Sequence, residues 1–483
     1  MRLIGIDAGT TSVSGVLLNT ESGQVEEVVS VEHEATLPTK SPDEDIQDPQ
    51  KILETMETTK DRLLGKAEEL SPAGAESREP AVKAISLTGQ VHGILYIDEN
   101  GRHISPLYTW QDTRGNRAIS AGKDGKTESW SERAGRKSGY RLPPGYGFLT
   151  HLINREEGKV PSEAVGMTSI LGYLSMRLIG NRRPRLETTD AHSLGLYLLQ
   201  ERRFDRDALD KLGIPDAFVP EIVETGTLIG TTEEGIDLFA AVGDNQAGYV
   251  GAVQEPRGQR LVSIGTSAQL SVHSAEFPSS GESGEDEQGW KGQLEIRPFP
   301  GGEFLLAGAS IAGGSAYRLL EGLFREICRR YVGTDPGSLL EQMNNIPYDA
   351  LEDSLKLDVS TRFLGTRRDP TVRGSIRGIG RANLTPDYLI EGFLRGIVGE
   401  LETYFEDLPA ELRESSRQIV GVGNALRRNP LLRRILREEL DLPLQSPLQK
   451  EEAALGAAII AGVGSGAYGS YTSTDRPIPY ETV

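Results

Sequence analysis

The sequence has little of what several classes of protein depend on. A single cysteine, Cys328, in 483 residues excludes an intrachain disulfide framework and a cysteine-pair zinc site, and it fits a reducing compartment. No two histidines have metalloprotease spacing. The most apolar later stretch, residues 453–467, is too short to span a bilayer, and the N-terminus becomes charged within a few residues. We therefore expect a soluble cytoplasmic protein.

Positive charge is also scarce. The chain has 52 Lys and Arg against 71 Asp and Glu, a net charge of −19. Such a surface repels nucleic acid and anionic membranes, so we expect neither as a partner. A phosphate site here would have to use backbone amides, a metal ion and a few local cations. The 37% hydrophobic and 25% charged residues are typical of a globular protein, and the length predicts two to four domains.

Short β-type runs alternate with helical periodicity, which predicts an α/β architecture. Two runs, 2–6 and 13–18, flank the turn 7–12, and Asp48-Pro49 predicts a helix start. A second strand–turn–strand unit surrounds the turn 265–267. Two such hairpins, one in each domain, would face each other across a cleft. We place the boundary near residue 235, which gives domains 1–235 and 236–465 and a polar tail, 466–483, that we expect to be loose.

Two phosphate motifs can be excluded. Gly125-Lys126-Thr127 resembles the end of a P-loop, but Ser120 stands where that motif requires its first glycine. Gly464, Gly466 and Gly469 have dinucleotide-fingerprint spacing but follow a helix rather than a strand, so we assign them no function.

Two acidic segments are candidates for phosphoryl chemistry. Asp7 at a strand end could hold Mg²⁺ through water, and the following Ala-Gly-Thr-Thr-Ser turn could offer amides and hydroxyls to phosphoryl oxygens. Its alternative is a plain hairpin. Asp244 follows an apolar strand and could take the proton of an attacking hydroxyl. Its alternative is a helix N-cap.

Two further segments carry the groups that a polyhydroxylated ligand requires. Gly89-Gln-Val-His-Gly93 and Tyr108-Thr-Trp-Gln-Asp112 follow β-like runs and combine amide, imidazole, indole and carboxylate groups. The alternatives are a structural histidine at His92 and core packing of Trp110.

Together these motifs resemble the FGGY carbohydrate kinases. The turn 7–12, Gly89–Gly93, Trp110–Asp112, Gly243–Gln246, Gly265-Thr266 and the helix Glu451–Ala461 occur in that family's order, over roughly residues 1–465. The resemblance implies two ribonuclease-H-like domains, as in actin-like ATPases, that flank a nucleotide/sugar cleft. It also implies ATP and Mg²⁺ as cofactors and a small sugar as substrate, with a homodimer as the assembly to consider.

The resemblance assigns roles to residues of this sequence. Asp244 would be the general base, and Asp7 would serve the Mg²⁺–phosphate site. The substrate would contact Gln90, Val91, His92, Trp110, Asp112, Tyr146 and Asn245. The nucleotide would contact Thr10, Thr11, Ser12, Gly265, Thr266, Gly308, Gly423 and Asn424.

Several details favour a seven-carbon ketose, sedoheptulose, as the substrate. The segments Gly145–Gly147, Ser267–Leu270, Arg297–Phe299 and Gly423–Pro430 resemble those of family members that phosphorylate it. D-Xylulose is the main alternative, followed by L-ribulose or glycerol, and an actin-like ATPase that phosphorylates no sugar is a different class. The chain departs from the family at Ala8, at Ser14 and at His151, where the last two replace lysines. Ser14 leaves open which cation assists the phosphates.

Overall fold

The structure is a computed structural model that describes residues 1–71, 80–120, 127–278, 290–291, 293–363, 365–366, 371–476 and 478–482. The polar stretches 71–80 and 278–292, which the sequence predicts to be loops, lie largely outside the described residues.

The first half of the chain contains most of the short strands. Its elements are β1 Arg2–Ala8, β2 Ser12–Asn19, β3 Gln24–Glu32, β4 Ile46–Gln47, α1 Pro49–Glu69, β5 Ala84–Gly89, β6 Leu95–Ile97, β7 Leu107–Tyr108, β8 Ala118–Ser120, β9 Thr127–Ser129, α2 Trp130–Ser138, α3 Gly147–Glu156, β10 Gly166–Thr168, α4 Ile170–Leu178, β11 Arg185–Glu187, α5 Thr188–Ser193, β12 Tyr197–Leu198, β13 Arg203–Phe204, α6 Arg206–Leu212, β14 Glu221–Val223, β15 Leu228–Thr231, β16 Asp237–Gly243 and α7 Asp244–Ala252.

The second half of the chain carries the remaining elements. Its elements are β17 Gln259–Ile264, β18 Ala268–Ser274, β19 Trp290–Lys291, β20 Leu294–Phe299, β21 Glu303–Ser310, α8 Gly314–Ile327, α9 Leu340–Asn344, β22 Asp358–Ser360, β23 Ser375–Arg377, α10 Pro386–Glu406, α11 Ala410–Glu414, β24 Gln418–Val422, α12 Asn424–Arg428, α13 Pro430–Leu440, β25 Leu444–Pro447, α14 Glu452–Gly464 and β26 Tyr480–Thr482.

Two large sheets repeat one strand arrangement. The first has the order β15-β16-β5-β1-β2-β3, and the second β19-β20-β21-β18-β17-β24-β25-β26. In the series β3-β2-β1-β5-β16, the neighbours among the first three strands pair antiparallel, and the neighbours among the last three pair parallel. The series β21-β18-β17-β24-β25 has the same directions. The two predicted hairpins, β1–β2 and β17–β18, therefore occupy equivalent positions, and the two-domain α/β prediction is confirmed.

The predicted helix start at Asp48 is confirmed. The Asp48 carboxylate accepts the Gln50 backbone N–H at 2.9 Å, and Pro49 occupies the first turn, where its missing N–H costs nothing. Ile52, Met56 and Leu63 are buried, so α1 covers one face of the first sheet with its apolar stripe.

Helix α14 joins the two domains. It is apolar on all sides and is buried against α7, β1 and β5. Glycines permit this approach: an added Cβ would lie 1.9 Å from the Ala454 carbonyl oxygen at Gly5, and 1.8 Å from the Ala247 carbonyl oxygen at Gly456. Backbone of the second half therefore packs directly on the first sheet.

The domain boundary differs from the predicted one. Residue 235 lies inside the hairpin between β15 and β16, and β16 pairs with β5 in the first sheet. The first domain therefore continues through α7, and the chain enters the second sheet at Gln259. Composition does not distinguish the turn of this hairpin from a linker, because both are rich in glycine and polar residues.

The expected loose tail is also packed. β26 pairs antiparallel with β25, and Tyr480 donates a hydrogen bond to the Ala252 carbonyl at 2.8 Å. Arg476 is 2% exposed and donates to the carbonyl oxygens of Val250 (2.8 Å) and Val253 (2.7 Å). These bonds satisfy carbonyls at the end of α7, which its own helix leaves without partners.

Candidate active site

Asp7 and Asp244 leave the first sheet at the same edge. β1 and β16 both run parallel to β5, and Ala8 and Gly243 each pair with Gly89. Gly89 permits this close approach, because a Cβ there would lie 2.3 Å from the Ala8 carbonyl oxygen. The edge formed by the carboxyl ends of parallel strands is where α/β proteins bind their ligands.

Asp244 is accessible but surrounded by protein. It is the first residue of α7, which begins at Gly243 without a side-chain cap, so the helix-cap alternative does not describe it. Its side chain is exposed to solvent, while the surrounding protein desolvates the carboxylate and raises its pKa. The Asn245 backbone N–H and the Arg297 guanidinium oppose this rise. A raised pKa makes a carboxylate a better proton acceptor.

A buried network supports the backbone just before Asp244. The Gly243 N–H donates to Thr189 Oγ1 at 2.9 Å, and the Thr189 hydroxyl donates to Glu187 at 2.5 Å. Glu187 is fully buried, also accepts the Thr189 backbone N–H at 2.7 Å, and has a pKa raised by burial. These bonds hold the start of α7 in place. Sequence reasoning missed Glu187 and Thr189 because nothing local links them to Gly243.

Asp7 has the character of a cation ligand. Its Oδ1 is buried and has no hydrogen-bond partner among the described residues. Burial, followed by the negative charges of Asp244 and Glu451, raises the pKa of Asp7 to about 7. An orphaned carboxylate oxygen among like charges fits a divalent cation. The described residues contain no group of three or more His, Cys, Asp or Glu side chains able to hold a metal alone, so water and phosphate oxygens would complete such a site.

Gln90 and Trp110 converge on the first turn. The Gln90 amide donates to Gln47 Oε1 at 2.9 Å, and Gln47 donates to the Thr10 carbonyl at 2.8 Å. Gln90 Oε1 is buried and accepts no bond from the described residues, so it can serve a ligand hydroxyl. Trp110 is 43% exposed, and its indole N–H donates to Thr10 Oγ1 at 3.2 Å, which is not core packing. Thr11 is exposed, and Ser12 half-buried, beside this group.

His92 and Tyr146 form a stacked pair. Their ring centroids are 4.4 Å apart, with 18° between the ring planes. His92 Nδ1 donates to the Ser193 carbonyl at 2.7 Å, and the His92 backbone has a positive φ of 73°. This strained backbone is held by a second bond, from the His92 N–H to Ser193 Oγ at 3.0 Å. Val91, beside them, is half-buried and packs near Gly243.

Asn245 connects the two sheets. Its side-chain oxygen accepts a bond from Arg297 on β20 at 3.1 Å. Arg297 also donates to Glu295 at 2.9 Å and 2.5 Å, and Tyr146 donates to the other oxygen of Glu295 at 3.0 Å. Sequence reasoning did not assign Glu295 or Arg297 to the site, because they lie about 50 residues beyond Asp244 and only the tertiary structure brings them to it.

Asp112 does not face the substrate side as expected. It is 2% exposed, and both of its carboxylate oxygens lie within 3.0 Å of the fully buried Arg114 guanidinium. Arg114 also pairs with Glu157 at 3.0 Å. A buried carboxylate so fully engaged has a structural role, so the structure corrects this assignment.

The second-domain turn rests on the start of α8. The Gly314 N–H donates to the Gly265 carbonyl at 2.9 Å, and the Ser315 N–H to the Thr266 carbonyl at 3.0 Å. A Cβ at Gly313 would lie 2.4 Å from the Ser267 backbone, so only glycine fits there. Sequence reasoning missed Gly313 and Gly314, although a Gly-Gly pair between a strand and a helix was an available signal.

The other nucleotide candidates are divided. Gly423 has a φ of 93°, and a Cβ there would lie 2.5 Å from the Ile264 carbonyl oxygen, so this turn is held against β17. Asn424, the first residue of α12, is exposed beside it. At Gly308 a Cβ would meet the Tyr404 ring at 2.4 Å, so packing against α10 requires a glycine at this position. A contact between Gly308 and the nucleotide stays a prediction.

Neither Ser14 nor His151, which stand where the family has lysines, supplies a positive charge. The Ser14 hydroxyl bonds with Ser30 at 2.9 Å. His151 is buried beside Tyr96, and burial lowers the pKa of His151 to about 4, so it is neutral at physiological pH. The guanidinium that acts on Asp244 is that of Arg297, from the second sheet.

Two equivalent α/β domains, with carboxylates and polyol-type hydrogen-bonding groups between them, define a phosphotransferase acting on a hydroxylated substrate. The family models for the N-terminal and C-terminal domains of the FGGY family of carbohydrate kinases match residues 2–251 and 261–465. The chain belongs to this family and is an ATP-dependent sugar kinase.

Individual relatives agree with this assignment. The chain is 26% identical to sedoheptulokinase from Mus musculus, over 95% of this chain and 96% of the relative. It is 23% identical to xylulose kinase from Lactococcus lactis, over 98% and 90%. The crystal structure of xylulose kinase from Rhodospirillum rubrum superposes with a TM-score of 0.81 at 19% identity, covering 100% and 94%. No helix in the described ranges is long and apolar enough to cross a membrane.

Proposed function

We propose that this kinase phosphorylates a ketose, sedoheptulose, at its terminal hydroxyl, with Asp244 as the general base. The observation that carries the proposal is the setting of Asp244, an accessible carboxylate whose pKa is raised. The neighbouring Asn245 is connected by hydrogen bonds through Arg297 and Glu295 to Tyr146, which stacks on His92. The base takes the hydroxyl proton as the hydroxyl oxygen attacks the γ-phosphorus of ATP and ADP leaves.

The remaining residues position the two substrates. Gln90, His92 and Trp110 supply a buried acceptor, an imidazole and an exposed ring face to the sugar. Thr10, Thr11 and Ser12 on one side, and Gly265, Thr266, Gly423 and Asn424 on the other, would cradle the nucleotide with backbone and hydroxyl donors. Asp7 would hold Mg²⁺, which when bound neutralises charge on the phosphates.

The choice of sedoheptulose rests on the relatives and on site chemistry. The mouse relative is named sedoheptulokinase and aligns over nearly the whole chain. In the proposed pose the terminal hydroxyl meets Asp244 while the ketone end lies toward Gln90 and His92. A shorter sugar leaves at least one polar group of the site unpaired, at a cost of about 1–3 kcal/mol. The alternative, supported by the xylulose kinase relatives, is D-xylulose or another FGGY substrate.

Side-by-side kinetics test the proposal. We expect kcat/KM for sedoheptulose to exceed that for D-xylulose by at least about tenfold, the equivalent of one lost contact. ADP release should be followed on purified protein with each sugar, with glycerol as a third substrate. A higher kcat/KM for D-xylulose would reject the seven-carbon assignment, and no release with any ketose would reject the ketose class.

A further inference from the structure

A buried ion pair lies behind the proposed sugar pocket. Glu295 and Arg297 stand two residues apart on β20, with side chains only 6% and 12% exposed. Arg297 contacts Glu295 with two of its nitrogens, at 2.9 Å and 2.5 Å. Both bonds go to the same carboxylate oxygen, Oε2, so Glu295 occupies the Nε–Nη2 edge of the Arg297 guanidinium, an edge that Arg also presents to a ligand carboxylate.

This pair contacts residues on both sides of the proposed sugar site. Tyr146, which stacks on His92, donates to Glu295 Oε1 at 3.0 Å. On the other side Arg297 donates to Asn245 Oδ1 at 3.1 Å, one residue from Asp244. The pair is therefore in direct contact with side chains proposed to bind the sugar. If one member of the pair lost its charge, the remaining charge would act on a bound ligand.

The charge around the pair decides which ligands are tolerated. Glu295 offsets the charge of Arg297, and burial lowers the pKa of the neighbouring His192 to about 4, so that imidazole is neutral at physiological pH. Asp244 adds negative charge. A neutral sugar meets no net repulsion here. A sugar carboxylate, in contrast, finds the Arg297 guanidinium already engaged by Glu295 and Asn245.

We propose that Glu295 is a specificity residue: by occupying the Nε–Nη2 edge of the Arg297 guanidinium, it makes the site select neutral sugars and reject sugar acids. The inference rests on the proposed function, because it takes the Tyr146–Asn245 side as the sugar pocket. Rejection of a competitor by an engaged or opposing charge is a general route to specificity. The kinase reaction itself is unchanged: a hydroxyl of either substrate takes the γ-phosphoryl group of ATP, and ADP and a proton are released.

Two variants, for which we expect opposite changes in substrate preference, test the proposal. Glu295→Gln removes the carboxylate charge and leaves Arg297 cationic. We expect the ratio of kcat/KM for D-gluconate to that for sedoheptulose to rise at least tenfold. Arg297→Gln removes the positive charge that offsets the Glu295 carboxylate, and we expect the same ratio to fall at least threefold. Each ratio is obtained from ADP release, with binding of each sugar measured by calorimetry in the absence of ATP.

Glu303→Gln is the matched control. Glu303 lies on the neighbouring strand β21 and pairs with His273 at 2.6 Å, away from Tyr146 and Asn245, so the ratio should not change. If Glu295→Gln and Arg297→Gln lower both activities in parallel, the pair is only structural and the proposal is overturned. If either variant fails to fold, the other still gives a signed result. A wild-type enzyme that prefers D-gluconate also overturns it, whereas a wild-type enzyme inactive on every ketose rejects the proposed function itself.

Discussion

Asp7 and Asp244 stand at the carboxyl ends of the two strands that flank β5 in parallel, so two distant parts of the chain present carboxylates at one sheet edge. The negative charge of Asp244 makes ionisation of Asp7 more costly, and together with burial and Glu451 it raises the pKa of Asp7. The two carboxylates differ in setting: Asp7 Oδ1 is buried, while the Asp244 side chain is exposed. This difference supports the proposal that Asp7 serves the metal ion and that Asp244 takes the proton.

Asp244→Asn should abolish phosphoryl transfer while ATP still binds. The amide keeps the shape of the side chain but cannot accept the proton, and loss of a general base typically lowers kcat by about 10²–10⁴-fold. Turnover with saturating sugar and ATP binding by calorimetry are the measurements. Asp205→Asn is the control, because Asp205 also begins a helix but serves as its N-cap, through a 3.1 Å bond from the Ala208 N–H. Near-wild-type turnover of Asp244→Asn would exclude the residue from catalysis.

Asp7→Asn should stabilise the metal-free protein at alkaline pH while it lowers activity. The folded-state pKa of Asp7, about 7, lies above the ordinary value of 3.8 for an aspartate, so folding favours the protonated carboxyl. The resulting destabilisation begins as pH rises through about 4 and is complete above about 7. We expect Asp7→Asn to raise the free energy of unfolding at pH 8 by on the order of 1 kcal/mol or more, and to change it little at pH 4.

The same variant tests the metal assignment. Added Mg²⁺ and nucleotide should stabilise the wild type more at pH 8 than at pH 5, because only the ionised carboxylate attracts the cation. Asp7→Asn should lose most of that difference and should need more Mg²⁺ for its residual activity. Thermal unfolding at the two pH values, with and without Mg²⁺, gives the result. Equal Mg²⁺ dependence in the two proteins would leave Asp7 as a hairpin residue only.

His92→Ala should weaken use of the ketose and leave ATP affinity nearly unchanged. The substitution removes the ring that stacks on Tyr146 and the bond to the Ser193 carbonyl. We expect kcat/KM for the ketose to fall about tenfold or more, since a tenfold change corresponds to about 1.4 kcal/mol. His103→Ala is the control: His103 also contacts a tyrosine, Tyr173, with a 2.9 Å bond, but it is not among the site residues. An equal rise in the KM for ATP would contradict the sugar-side placement.

Gly456→Ala should destabilise the protein and slow turnover. The added methyl group would lie 1.8 Å from the Ala247 carbonyl oxygen, so α14 and α7 must separate, and α7 carries Asp244. Overpacking of this kind costs about 1–3 kcal/mol. Gly399→Ala, in the middle of α10 with nothing within 4 Å, should instead be neutral or stabilising by up to about 1 kcal/mol. Denaturant midpoints compare the two, and equal stabilities would refute this packing.

The sequence by itself determined the family, the α/β class and the two phosphate-type hairpins. Those features are local: β1–β2 and β17–β18 are carried by short apolar runs around small polar turns, and the Asp48-Pro49 start of α1 depends on neighbours in the chain. Asp7 and Asp244 could be nominated for the same reason, because each directly follows or ends a strand.

Only the tertiary structure decided what depends on contacts between distant residues. Asp112 carries a carboxylate of the kind that binds sugar hydroxyls, but in the protein interior that carboxylate accepts a hydrogen bond from Arg114. The sequence predicts a nucleotide contact at Gly308, and the structure adds that the ring of Tyr404 on α10 fills the space beside this glycine. Glu295 has no local signal, and Arg297 stood out only as part of a family-like segment. Both become part of the site because β20 brings them to Tyr146 and Asn245. Composition and periodicity record the neighbours along the chain, whereas burial and charge pairing are set by neighbours in space.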